Sequence, residues 1–331
     1  MDSRYPLFTK RKSRVKCHTI IQQSGGPRSA GGLIPLPVVN TFEFLRFRFH
    51  FRAVGALGFP TGKSANIIRG AFGMLLRETA APAAYFRLFE PGSAGIQGPS
   101  GLADWPRPFL FRAAELDGRT IPAGGGFYFD VHVFDVRRPA LTHFRAAFQA
   151  WAERGIGPRR GRAVLERVEQ LDLAGGAQEV TEQALAPSVI SLEPGGEAAT
   201  RVRLRFRTPT ELKTGGAVSE SPEFAVLFSR LRDRLSTLRA LYGAGPLDID
   251  FRAMGERARS VRLEHAALQW EIVNRRSSRT RQVHSIGGFT GEAQYAGPLT
   301  EFLPWLRAAR WVGVGRQTVW GKGDVRVYNT H

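Results

Sequence analysis

The sequence predicts an α+β chain in which one βαββαβ order is used twice, with a glycine-rich loop near the C-terminus. Three observations carry this. Residues 42–54, FEFLRFRFHFRAV, alternate apolar and basic side chains with the period of a strand, and RVRLRFRT at 201–208 repeats the pattern. Each stretch precedes an amphipathic helical segment, two further strand-like runs, a second helix and a last strand. Finally, Gly313, Gly315, Gly321 and Gly323 make two Gly-x-Gly pairs separated by five residues.

Residues 1–40 are basic and rich in Ser and Gly, and read as a flexible arm without the apolar core of a secretory signal. In the first half, 41–175, Phe47, Phe49, Phe51 and Ala53 point to a core, and Arg46, Arg48, His50 and Arg52 to the opposite face. A helix is expected over 64–79 with Ser64 as N-cap and Ile67, Ile68, Ala71, Leu75 and Leu76 on its buried side. Strands follow at 108–116 and 126–135, a helix at 139–153 and a fourth strand at 163–173. Residues 176–199, rich in Gly, Ala, Glu and Pro, read as a linker holding a short strand near 187–192. In the second half, 200–331, Pro222 takes the first position of a helix that runs to Tyr242 and stops at Gly243. Strands at 261–273 and 286–296, a helix at 299–309 and a strand at 324–328 complete the repeat. Two tandem ferredoxin-like (RRM-like) domains are what this order predicts.

Composition limits the partner. In 331 residues, Lys and Arg number 47 against 29 Asp and Glu, a formal charge of +18, with 43% apolar residues to build cores. Such an excess calls for a polyanion. No apolar run approaches the length of a membrane span, so the partner expected is nucleic acid and not a membrane. Cys17 is the only cysteine, which rules out an intrachain disulfide framework or a Cys-rich metal centre and suits a reducing cytoplasm. No cofactor or metal is expected.

Residues 287–297, GGFTGEAQYAG, lead through LTEFLPWLRAARW into the glycine loop at 313–323. This run resembles the C-terminal signature of the CRISPR-associated pre-crRNA-processing endoribonucleases of the RAMP superfamily. Their loop reads G-h-G-x5-G-h-G, h being hydrophobic, after a GGF-x-G strand and a Leu-rich helix. The four glycines match; Lys322 departs from the second hydrophobic position. TPTELK at 208–213, NRRSSRTRQ at 274–282, IIRGAFG at 67–73 and RLFEP at 87–91 extend the resemblance from about residue 42 to the end. It implies tandem ferredoxin-like domains, repeat RNA of precursor CRISPR transcripts as substrate, and cleavage by the ribose 2′-hydroxyl without metal, in a prokaryotic cytoplasm. A place in a CRISPR effector complex belongs to the same implication.

Many family members use a histidine near the first helix as general base, yet residues 55–79 hold none. The candidates are His50 on the basic face of the first strand, Lys63 at the head of the first helix, and His284 before the Gly287-Gly288 turn. His50 and Lys63 serve either in chemistry or in binding alone. RNA contacts are expected from Arg46, Arg48 and Arg52, from Arg69, from Arg203 and Arg205, from Arg230 and Arg234, and from Arg275, Arg276, Arg279 and Arg281. Within the loop they are expected from Gly313, Gly315, Arg316, Trp320, Gly321, Lys322 and Gly323. There the backbone is free to lie against phosphate and Trp320 either stacks on a base or plugs the core. PTGKS at 60–64 is not a phosphate-binding P-loop: only three residues separate Gly58 from Gly62. Two other readings remain: a non-catalytic subunit holding guide RNA, and a basic RNA-binding protein unrelated to CRISPR.

Overall fold

Alternation makes β1 (Thr41–Ala53) a two-faced strand: Phe47, Phe49, Phe51 and Ala53 are buried on one side, while His50 and Arg52 reach the surface on the other. The computed structural model describes residues 40–93, 105–158, 160–180, 184–272, 274–276, 283–285 and 287–330, with the backbone alone described in 274–276 and 283–285. The arm expected over 1–40 therefore lies outside the described residues except for Asn40, and Arg279 and Arg281 lie outside them as well.

After β1 come β2 (Leu57–Gly58), α1 (Ser64–Thr79), α2 (Pro82–Phe89), β3 (Phe109–Arg112), β4 (Thr120–Ile121), β5 (Gly126–Val133), α3 (Leu141–Arg154), β6 (Ala163–Leu171), β7 (Ala177–Glu179) and β8 (Ser188–Ser191). The main sheet runs β3-β5-β1-β6-β7, antiparallel throughout, and β8 pairs with the first four residues of β1. One face of this sheet is covered by α1 and α3. At the centre of that layer Phe72 stacks on Phe144 at 4.5 Å and meets Phe109 edge-on at 5.2 Å.

The remaining elements are β9 (Arg201–Thr210), the β10 (Lys213–Thr214) and β11 (Ala217–Val218) hairpin, α4 (Phe224–Tyr242), α5 (Phe251–Ala258), β12 (Arg262–Glu271), β13 (Asn274–Arg276), β14 (Val283–Ser285), β15 (Gly288–Ala296), α6 (Leu303–Val312) and β16 (Val325–Thr330). The second sheet runs β12-β15-β9-β16, again antiparallel. Its core joins Val202, Leu204 and Phe206 of β9 to Leu227, Leu231 and Leu235 of α4 and Leu303, Leu306 of α6. Phe42, Phe44, Leu110 and Phe134 from the first sheet belong to this same core, so the reverse face of that sheet is apolar at one end and packs on the second half.

Several boundaries differ from the expected ones. Ser64 is the first residue of α1 and not its cap; Lys63 takes the N-cap position, and Asp117 Oδ1 accepts the Ser64 N–H at 2.9 Å. Pro222 stays outside α4, whose N-cap is Glu223. The helix expected at 299–309 starts at Leu303, with Pro304 in its first turn where a missing N–H costs nothing. Two short helices were not expected: α2, which opens on Pro82, and α5, capped by Asp250 accepting from Arg252 N and Ala253 N. The stretch expected as linker holds β8 where a short strand was expected, and β7 where none was. Phe72 is fully buried. Phe72→Ala is expected to cost about 3–5 kcal/mol, as for other buried aromatic truncations, read as a lowered urea midpoint with an unchanged slope.

Candidate nucleic-acid interface

Beyond Phe44, the reverse face of β1 leaves the apolar contact and becomes the wall of a cleft. Phe44 meets the Trp311 ring at 5.3 Å, and the next residue on that face, Arg46, lays its guanidinium 4.6 Å over the same ring. Only 8% of Arg46 is exposed; Nη1 donates to Asp172 O at 2.5 Å and Nη2 lies 3.7 Å from Asp130. Burial lowers its pKa, Asp130 opposes that shift, and Arg310 and Arg48 reinforce it. Arg48 grips Asp130 with two bonds of 2.7 and 3.0 Å. From β5, His132 is buried, and its Nδ1–H donates to the Trp311 carbonyl at 2.8 Å. Burial and Arg112 hold this imidazole well below its usual pKa, hence neutral.

Arg112 on β3 donates from Nη2 to Arg310 O at 2.9 Å, while its Nε and Nη1 are buried with no hydrogen-bond partner. The facing wall carries Arg207 of β9 and Arg326 of β16, both on Asp324, at 3.5 and 3.1 Å. Arg207 also reaches Glu115 at 2.6 Å. Asp324 is 2% exposed. Burial alone would raise its carboxyl, but Arg112, Arg326 and Arg207 outweigh it and hold the group below the usual carboxylate value. The enclosed space is about 390 Å³. Seven arginines line it, Arg46, Arg48, Arg112, Arg119, Arg207, Arg310 and Arg326, against three carboxylates, Glu115, Asp130 and Asp324. The wall is thus net cationic, and Arg112, which lines it, has two buried N–H-bearing atoms left unsatisfied among the described residues. Such a place favours an oxyanion.

The glycine loop borders this cleft at Gly321, but it is not the open backbone cradle the sequence suggests. Gly313, Gly321, Lys322 and Gly323 are buried and Gly315 is half-buried. Val314 N bonds Gly323 O at 2.9 Å, Gly323 N bonds Pro209 O at 3.0 Å, and Arg316 N bonds Glu211 O at 3.0 Å. At Gly323, φ is +70° and a Cβ would collide with the Val314 carbonyl, so glycine is required for packing. Lys322 turns inward and donates to Gly62 O, ahead of α1, at 3.3 Å; burial lowers its pKa against the pull of Asp117. Arg316 is exposed and ion-paired to Glu211 at 2.6 Å. It shares a shallow pocket with Lys213 and Arg230.

Other expected contacts are also relocated. Arg69 is 9% exposed and sandwiched near Phe89 and Trp320, at 4.5 and 5.1 Å from their ring centres. It is thus a packing cation and not a phosphate contact at the surface. Trp320 is half-buried against the first core, which selects the plug over the stacking surface. Arg234 donates to Val312 O at 2.7 Å and lies over Phe134, with burial lowering its pKa. Arg230, one turn away, is exposed. Arg203 and Arg205 lie along β9 on the face that continues from Arg207, with Arg205 paired in register with Arg326. Arg52 is exposed and paired to Glu166.

His50 sits half-buried on the first sheet, where Glu169 Oε2 accepts from its Nε2 at 2.6 Å. Glu169 also accepts from Arg167 at 2.8 Å; these two bonds, Arg167's first, lower its pKa. A carboxylate can only accept, so Nε2 bears a proton and Nδ1 takes no part in this contact. Lys63 is exposed at the head of α1. The backbones of Arg275, Arg276 and His284 pair in the β13–β14 hairpin, Arg275 opposite His284; their side chains lie outside what is described. Thus, among the described residues, the expected site residues do not gather at one point.

Sequence reasoning placed Arg207 on the basic face of the second half's first strand but missed Arg112, Arg310, Arg326, Asp130, Asp324 and Tyr128. The period-2 alternation of FLFR at 109–112 and VRV at 325–327 already placed Arg112 and Arg326 off the core face. Among the described residues no helix is long and apolar enough to cross a membrane, and no three His, Cys, Asp or Glu side chains gather to hold a metal ion.

Asp324→Asn removes the counter-charge of three arginines and is expected to cost about 3–5 kcal/mol at neutral pH. The folded-state pKa is depressed, so the stabilisation is present above the unfolded carboxylate value and lost as pH falls through the lower folded value. Urea titrations of both proteins should therefore differ most at neutral pH and converge in acid below about pH 4.

Comparison with known proteins accords with this architecture. Residues 204–325 match the family model described as CRISPR-associated endoribonuclease Cas6, and residues 42–192 match one described as an N-terminal domain. No curated sequence matches significantly. A Cas6 product complex aligns with a TM-score of 0.54 at 19% identity, covering 86% of this chain and 99% of that one. Thermus thermophilus Cas6 aligns at 0.50 and 18% identity, covering 86% and 98%. A partial Cas6-RT-Cas1–Cas2 complex aligns at 0.56 and 12% identity, covering 88% of this chain and 47% of that one. At such identities the likeness is one of fold. Residues 204–325 thus match the CRISPR-associated endoribonuclease Cas6 family, and the likeness of fold to solved Cas6 structures extends over most of the chain.

Proposed function

We propose that the protein binds CRISPR repeat RNA and cuts it without metal, by attack of the ribose 2′-hydroxyl on the adjoining phosphorus. The P–O5′ bond breaks, leaving a 2′,3′-cyclic phosphate and a 5′-hydroxyl. The observation that carries the RNA-binding part is the arginine-lined cleft with Arg112 Nε and Nη1 buried and unpartnered. A phosphodiester supplies the missing acceptors and the missing negative charge. The product complex among the similar structures supports the cutting part. This reading takes 41–175 and 200–331 as tandem ferredoxin-like domains joined by 176–199, supported by sheet orders in which the first strand of each half lies between the third and fourth. It places the protein in a prokaryotic cytoplasm, alone or within a CRISPR effector complex.

One group must take the 2′-hydroxyl proton and another must return one to O5′. His50, its ring fixed by Glu169, is the first candidate base; Lys63 and His284 are the others. Arginines of the cleft would hold the phosphates, a role their planar fork suits. The absence of histidine from 55–79 favours a second reading, a subunit that holds guide RNA without cutting it.

Incubation of the full chain with end-labelled repeat RNAs in EDTA is expected to give a discrete cut, lost when the scissile 2′-hydroxyl is replaced by hydrogen while binding persists. Alanine at the true acid or base should slow single-turnover cleavage about 10²- to 10⁴-fold. Cutting of the deoxy substrate would refute the chemistry. Binding without any cut would leave the guide-holding reading.

A further inference from the structure

The open part of the first sheet bears an aromatic side chain that neither core uses. Tyr128 lies on β5, an inner strand of the first sheet between β3 and β1, facing away from the phenylalanine core, and 41% of it is exposed. It lines the cationic cleft. Its cross-strand partner on β1 is His50, ring centres 5.8 Å apart. The Arg48 guanidinium lies 4.0 Å over the tyrosine ring and is itself clamped by both Asp130 oxygens. The ring is thus held at low entropic cost by a cation on its face, with much of its surface open to solvent.

We propose that Tyr128, with Arg48 over its ring and His50 beside it, is a stacking platform for one unpaired base of a single-stranded RNA whose phosphates run into the arginine cleft. This rests on the RNA-binding reading above and adds a base contact to it. The chemistry points to a nucleobase over other occupants. A lone phosphate has no use for an aromatic face, whereas every base has one, and stacking tolerates any sequence. A protein partner would call for an apolar patch depleted in charge, but Tyr128 is ringed by Arg48, His50, Asp130 and, across β1, Arg167 and Glu169. An aromatic side chain on an inner strand of an antiparallel sheet is also a recurrent way for protein to hold single-stranded RNA.

The test uses the full chain and a short single-stranded oligoadenylate carrying one 2-aminopurine. Wild-type protein should quench the 2-aminopurine on binding. Tyr128→Ala and Tyr128→Leu should each weaken binding about tenfold, within the range seen for lost base stacks, and abolish the quench. Tyr128→Trp should retain both. The slope of log affinity against log salt should stay unchanged in all three, because no phosphate contact is removed. Circular dichroism melts report whether Ala or Leu disturbs folding. Should wild-type protein bind or cut RNA while Ala and Leu bind with wild-type affinity and quench, the stacking site is overturned and the RNA-binding reading stands. Should wild-type protein bind no RNA, both fall. A lowered salt slope in Tyr128→Ala would also overturn it, by assigning the ring to positioning Arg48 against phosphate.

Discussion

A strand with two unlike faces governs this molecule. One side of β1 is a column of phenylalanines that no solvent reaches. The other begins apolar at Phe42 and Phe44, where the second half packs, and turns basic at Arg46. That single change of character along one strand places a cationic wall directly beside a hydrophobic contact. The two halves meet on apolar side chains at one end of the sheet face and through polar contacts further along it, Arg207 on Glu115 and Arg112 on Arg310 O among them. Aromatic rings and carboxylates make this tolerable: Trp311 carries Arg46 and Arg310, Tyr128 carries Arg48, and Asp130 and Asp324 each serve two arginines. Buried ion pairs of this kind add little net stability, but they fix guanidinium groups in place before any ligand arrives.

Preorganisation and cost are two sides of that arrangement. Arg112 has neighbours of its own sign in Arg326, Arg207 and Arg310, and burial already lowers its pKa. A polyanion relieves this repulsion, so its binding draws on energy stored in the folded chain as well as on released counterions. His132 contributes by staying neutral: a second buried charge beside Arg112 would be prohibitive.

What could be read beforehand followed from periodicity, and what could not followed from context. Alternation in 42–54 and 201–208 located both first strands and sorted their faces, because side chains of a strand alternate whatever lies around them. The same rule set Arg46 and Arg48 on the correct wall. It gave no warning that Arg69 and Arg234, on helices, would fold their stems against Phe89, Trp320 and Phe134, since a long basic side chain is compatible with either surface or packing. The glycines were legible as turns. Their burial was not, for a positive φ serves close packing as readily as ligand approach. Arg310 and Arg326 escaped notice because they come near Arg112 only across about 200 residues of chain.

The short turn Thr318–Trp320 has a temporal implication. Val319 is a member of the first half's core, and Gly321 abuts Ala65 of α1. A residue translated long after α1 thus supplies part of its packing. During synthesis this part of the early half's packing is completed only once the glycine loop has emerged from the ribosome. Separating the halves by proteolysis or by genetic splitting would expose that gap, so the chain matures as a unit whose final wedge is delivered last.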